Sequence, residues 1–105
     1  MTKSQRIAVN APPTQPMTAH DLKTLFPTRD ASNYVVKLWI IASLLLRGIE
    51  DTGDRDMAWI YNIIWIGKDI CRLDEDDLEI ALLGFGAERD LAAALATDIV
   101  RIRSR

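Results

Sequence analysis

Cysteine and histidine are nearly missing from the sequence, which holds one of each, Cys71 and His20. A single cysteine cannot form an internal disulfide, and one thiol with one imidazole is too few for a zinc site or a His-activated nucleophile. The sequence therefore predicts a protein that is not an enzyme, with no catalytic residues, no metal and no cofactor, in a reducing, cytoplasmic compartment. We interpret His20 as a surface residue and Cys71 as a small buried hydrophobe.

Long apolar runs and an excess of basic charge are also missing. Asp56 and Lys68 enclose only eleven residues, and the apolar run at 38–46 is shorter still, whereas a membrane-spanning helix needs about 20. The formal net charge is −2, whereas general nucleic-acid binders usually show a strongly basic face. The composition therefore argues against a membrane protein and against nucleic acid as the default partner.

All four prolines lie at or before position 27, so the rest of the chain contains none. Residues 1–17 combine three of them with few large apolar side chains, which predicts a flexible arm before a single helical domain at 18–105. Thr18, with Asp21 three residues later, is typical of a helix N-terminus, and Pro27 would stop that helix after about two turns.

From residue 30 onward the apolar spacing is helical, and no sustained alternation indicates a strand. Capping residues and glycines divide this part into segments beginning at Asp30 or Ser32, at Asp54 or Asp56, at Asp74, and at about Ala87. The first ends near Gly48, the second near Arg72, the third at Gly84 or Gly86 and the fourth near Ile102. The sequence predicts an all-α fold, a small helical bundle of three longer helices plus one or two short helices.

The first long helix is apolar nearly all the way round. Placing residues at about 100° per position confines Lys37, Ser43, Arg47 and Glu50 to a minor arc. Such a helix must be covered on several sides. It is therefore either the central element of the bundle or partly covered by another subunit.

The second long helix, predicted to reach Arg72, divides into an isoleucine-rich side and a side with large rings. The first side is assigned to the core: Trp59, Ile60, Ile63, Ile64, Ile66 and Ile70. The other side carries Tyr61, Trp65, Lys68 and Arg72, and aromatic rings and arginine are enriched at binding hot spots. These four residues are the predicted interface, with Trp65 as its anchor. The alternative is that another part of the same chain covers the rings.

Two motifs resemble functional sites without meeting their requirements. The acidic string at 74–79 and the aspartates at 51–56 lack the glycine and glutamate positions of a calcium loop, and helix capping explains them. The helix, glycine turn and helix of residues 78–103 have the order of a helix-turn-helix. Its second helix, however, presents few basic or amide groups where bases would be read.

The sequence thus favours a non-enzymatic protein–protein interaction or regulatory module, such as an inhibitor or an accessory protein of a mobile element. Its predicted partner is another protein or a second copy of itself, in a homodimer. The alternative hypothesis is a dimeric DNA-binding transcriptional regulator.

Overall fold

The computed structural model describes residues 18–48 and 58–104. The prediction of an all-α fold with three longer helices is confirmed for this part of the chain, in which every regular element is helical. The predicted arm at 1–17 and the positions of Glu50, Asp54 and Asp56 lie outside the described residues. The elements in chain order are α1 (Ala19–Thr24), α2 (Asn33–Leu46), a 3₁₀ helix (Trp59–Asn62), α3 (Gly67–Arg72), α4 (Glu75–Phe85) and α5 (Arg89–Arg103).

Three helices begin where the sequence places their capping residues. The Thr18 backbone N–H donates to Asp21 at 2.9 Å, and the Asp21 N–H donates back to the Thr18 hydroxyl at 3.2 Å, which starts α1. The hydrogen bond from the Thr18 backbone holds the pKa of Asp21 below its ordinary value. Ser32 and Asp74 each accept from the backbone N–H three residues later, at 3.3 and 2.9 Å. These local bonds satisfy N–H groups that a helix leaves unpaired in its first turn.

The core is formed by one side of α2 together with α4, α5 and the buried residues of the segment 59–70. Gly86 ends α4 with a φ of 119°, a left-handed conformation that glycine adopts readily. Fully buried Ala92 and Ala96 leave room for α4 to approach α5 closely. The largest fully buried side chains are Val36, Ile40, Leu44, Ile63, Ile70, Leu78, Leu82, Leu95 and Ile99.

The predicted second long helix is wrong in its described part, because the chain does not continue as one helix from residue 58 to residue 72. The 3₁₀ helix ends at Asn62, residues 63–66 have no helical structure, and α3 begins at Gly67. In an extended segment successive side chains point to opposite sides. Ile63 and Trp65 are accordingly 2% and 4% exposed, whereas Ile64 and Ile66 are 78% and 43% exposed.

This alternation corrects three sequence assignments in the segment. Ile64 and Ile66 do not belong to the core, and Trp65 does. Trp59, Ile60, Ile63 and Ile70 are buried as predicted.

Hydrogen bonds to residues distant in the sequence hold residues 63–67 in this non-helical conformation. The Asn33 amide nitrogen donates to the carbonyl oxygens of Ile63 and Trp65, at 2.9 and 2.8 Å. The Gly67 N–H donates to the Ala31 carbonyl at 2.9 Å. In addition, four of the seven residues at 60–66 are isoleucines, whose branched Cβ lowers helix propensity and favours extended backbone.

Two neighbouring isoleucines test this alternation. Ile63→Ala is expected to lower the free energy of unfolding by about 2–3 kcal/mol, because it removes buried methyl groups and leaves a cavity. Ile64→Ala, the same change one residue later, is expected to cost less than about 1 kcal/mol, because its side chain is largely in water. Urea denaturation of the two variants measures both values. Equal losses would contradict the extended course and favour a continuous helix with both residues in its core.

Candidate interaction surface

The structure does not bring the four predicted interface residues into one stripe. Tyr61 is 84% exposed on the 3₁₀ helix, and Lys68 and Arg72 are exposed on α3. The extended residues 63–66 separate these two elements. Helical spacing therefore does not place Tyr61 on one face with Trp65, Lys68 and Arg72.

Trp65 is packed within its own chain. Its ring meets that of Phe85 edge to face, with the centroids 5.4 Å apart and the planes at 79°. The side chain is only 4% exposed. The prediction that Trp65 is the exposed anchor of an interface is therefore wrong, and the alternative of cover by the same chain describes this ring.

A different apolar surface is exposed, and it lies on α2. Six residues from successive turns of α2 lie within an arc of about 120° around the helix axis. Lys37 is the only charged residue between positions 33 and 46, and it falls outside this arc. Tyr34 is 68% exposed and Leu45 51%, and Ile41 and Ala42 are half-buried. We call this surface the outer face: Tyr34, Val35, Leu38, Ile41, Ala42 and Leu45.

The opposite side of α2 enters the core, and it includes a serine. Ser43 is buried, although the sequence assigned it to a minor polar arc with Lys37 and Arg47. Val36, Trp39, Ile40 and Leu44 are buried around it. The helix therefore faces the core with a side that contains Ser43 and faces solvent with a side that contains no charge.

Neighbouring segments extend the apolar surface at both edges of the outer face. On one edge, Leu25, Val35, Leu38 and Ala42 line a shallow groove of about 230 Å³ whose floor includes Trp39. On the other edge, the Lys37 ammonium donates to the Tyr61 carbonyl at 3.5 Å, so that exposed Tyr61 lies beside α2. Tyr61, one of the predicted interface residues, therefore lies next to this surface.

The spacing within the outer face is the one used for helix pairing. Tyr34, Leu38, Ile41 and Leu45 follow one another at intervals of four, three and four residues. In coiled coils the same alternation places side chains along a seam where they insert between those of a second helix. The spacing was readable in the sequence. Whether these residues face the core or a partner depends on which side of α2 the core covers.

The single cysteine and histidine do not form a reactive pair among the described residues. Burial raises the pKa of the Cys71 thiol, against a smaller opposing effect of Arg103 and Arg29. The thiol donates to the Pro27 carbonyl at 3.3 Å. His20 lies on α1 within 3.5 Å of the Thr24 hydroxyl. A reactive cysteine needs a lowered pKa, so Cys71 has the properties of a packing residue.

Within 18–48 and 58–104, no group of three or more His, Cys, Asp or Glu is arranged to hold a metal ion. No helix of those ranges has the length and apolar character needed to cross a membrane. Comparisons with protein-family models, with curated proteins and with solved structures found no match to the chain.

Proposed function

We propose that this protein is a non-enzymatic interaction module that forms a homodimer through the outer face of α2. The uncharged outer face, which the other described residues of the chain leave exposed, is the observation that carries the proposal. Contiguous exposed apolar patches commonly mark protein interaction sites. With one cysteine in the chain, we place this module in the reducing cytoplasm.

Charge supports a second copy as the partner. In a two-fold dimer the same patch lies on both subunits, so any charge in it would face like charge or lose its water. The outer face has neither acid nor base. Lys37 at one edge can remain in solvent, because its ammonium lies on a long, flexible stem. Two outer faces can therefore meet without electrostatic repulsion.

Shape supports helix-to-helix contact in that dimer. The seam at Tyr34, Leu38, Ile41 and Leu45 gives each α2 alternating ridges that another α2 can receive. Leu25 and Tyr61 lie at the edges, where they would add apolar contact beside the two helices. In a regulatory role, a target protein would compete with the second copy for binding to this surface.

Placing a charge in the middle of the outer face tests the proposal. Leu38→Glu is expected to weaken self-association by about 2 kcal/mol or more, since two buried carboxylates would lose water and repel each other. Helical content should stay near that of the unchanged protein, because Leu38 is already 45% exposed in the single chain. Sedimentation equilibrium measures association, and circular dichroism measures helicity.

Leu83→Glu is the matched control, because Leu83 is another helical leucine, 41% exposed, on α4. It should leave association unchanged. Equal weakening by both variants, or a monomer at all concentrations in the unchanged protein, would contradict dimerisation through the outer face. Retention on DNA that falls steeply with salt would instead favour the alternative DNA-binding regulator.

A further inference from the structure

A cleft of about 520 Å³ lies between α1, the end of α2 and the end of α5. Its volume is within the range of small-molecule pockets, about 300–1,000 Å³. Ser43, which lines it, is about 180° around α2 from Tyr34. Ser43 therefore opens toward the cleft on the side of α2 opposite Tyr34.

Two arginines in the cleft are anchored on one carboxylate. Arg47 Nη2 pairs with Asp98 Oδ2, and Arg101 Nη2 pairs with Asp98 Oδ1 at 2.6 Å. Arg47 Nη2 also donates to the Ala94 carbonyl at 3.3 Å, which joins α2 to α5. A guanidinium carries five N–H donors in a rigid fork. Each arginine thus retains donors in the cleft after it has bound Asp98.

The charge of the cleft matches a doubly charged anion. Lys23 lines it together with the two arginines, and neither ion pair found among the described residues involves this lysine. Among the described residues that line the cleft, these three basic side chains face the single carboxylate of Asp98, which leaves a formal surplus of two positive charges. A phosphate monoester carries about −1.5 to −2 near neutral pH, whereas one carboxylate carries a single charge.

A buried hydroxyl in the cleft has no hydrogen-bond partner among the described residues. Ser43 is only 2% exposed, and its Oγ makes no hydrogen bond within the described part of the chain. Buried polar groups in folded proteins are usually hydrogen-bonded, so this hydroxyl needs a partner. An oxygen of a bound anion would supply one.

We propose that this cleft binds a small organic phosphate monoester. Its phosphate would lie between the free donors of Arg47 and Arg101 and the ammonium of Lys23. Leu46 and Ile102, which also line the cleft, would contact the organic part of the ligand. Arginine forks and a hydroxyl suit phosphate oxygens, and an apolar wall suits an uncharged body.

Isothermal titration calorimetry with phenyl phosphate, AMP and benzoate tests this site on the full chain. Phenyl phosphate is expected to bind at least about tenfold more tightly than benzoate, which has the same ring and half the charge. AMP shows whether a nucleoside is accepted as the organic part. Benzoate binding as tightly as phenyl phosphate, or an absence of heat with both phosphates, would overturn the proposal.

Two variants connect the binding to named residues. Arg101→Gln should raise the Kd for phenyl phosphate about tenfold or more, by removing charged hydrogen bonds. Arg89→Gln, which changes an exposed arginine of the same helix outside the cleft, should leave it unchanged. Ser43→Ala should raise the Kd several-fold without lowering the denaturation midpoint, because it removes a hydroxyl that is bonded to none of the described residues. The proposal is refuted if Arg101→Gln leaves the Kd unchanged, or if Ser43→Ala lowers only the midpoint.

Discussion

Trp65→Ala is expected to lower the free energy of unfolding by about 3–5 kcal/mol, as large aromatic-to-alanine changes in cores do. The ring is 4% exposed and packs edge to face on Phe85 at a centroid distance of 5.4 Å. A small domain has only about 5–15 kcal/mol of net stability. The substitution should therefore bring the protein close to unfolding, and urea denaturation with fluorescence or circular dichroism measures the loss.

Tyr61→Ala provides the control, because Tyr61 is also aromatic and is 84% exposed. Its cost should stay within about 0.5–1 kcal/mol, as for surface substitutions. If Trp65→Ala left stability intact and weakened only association, Trp65 would be an interface anchor, as the sequence first indicated. Comparable destabilisation by the two changes would also contradict the burial of Trp65.

Gly67→Ala is the second substitution expected to have a large effect, about 3–4 kcal/mol of lost stability. A Cβ at this position would lie 1.9 Å from the Thr28 carbonyl oxygen and 2.8 Å from the Ala31 backbone nitrogen. Backbone atoms cannot turn aside as a flexible side chain can, so the segments must separate. Overpacking costs about 1–3 kcal/mol, and the hydrogen bond from Gly67 to Ala31, worth about 0.5–1.5 kcal/mol, would be strained as well.

Gly84→Ala is the matched glycine substitution. Gly84 lies within α4, and an added Cβ would meet no atom within 4 Å. Alanine in a helix interior is favoured over glycine by about 0.5–1 kcal/mol, so this variant should be slightly more stable than the unchanged protein. A denaturation midpoint for Gly67→Ala as high as that of Gly84→Ala would contradict the close approach of residue 67 to residues 28–31.

The helix ends were predictable from the sequence because their causes are local. Thr18 with Asp21, Ser32, Asp74 and Gly86 each act on backbone groups within a few positions of themselves. A hydroxyl or carboxylate before an apolar run, or a glycine after one, therefore identifies a terminus without knowledge of the rest of the chain. The predicted starts of α1, α2 and α4 agree with the structure for this reason.

The course of residues 59–72 was not predictable in the same way, because distant groups determine it. Asn33, about 30 positions earlier in the chain, binds the carbonyls of Ile63 and Trp65. The isoleucines at 60, 63, 64 and 70 are spaced to share one helix face, and this spacing predicted a helix. The branched Cβ of the same residues favours extended backbone instead. Gly67 also looked neutral in the sequence, since only the position of the 28–31 backbone makes it necessary.

The candidate surface was predictable in part. The sequence showed that the helix at 33–46 is apolar nearly all round and needs cover on several sides. It could not show which side the rest of the chain would cover. Burial of Ser43 with Trp39 and Ile40 decides that question and leaves the outer face exposed. The predicted stripe of Tyr61, Trp65, Lys68 and Arg72 depended on a continuous helix, so it was lost when the helix was interrupted.

Disulfide trapping measures contact between two outer faces most directly. Tyr34, Leu38, Ile41 and Leu45 are each changed to cysteine in a Cys71→Ser background, with Leu83→Cys as the control of similar exposure. Under mild oxidation at least one of the four seam variants should form a covalent dimer of twice the 11.8 kDa chain mass, much faster than Leu83→Cys. If no seam variant crosslinks faster than that control, α2 does not face a second copy of itself, and homodimerisation through the outer face is wrong.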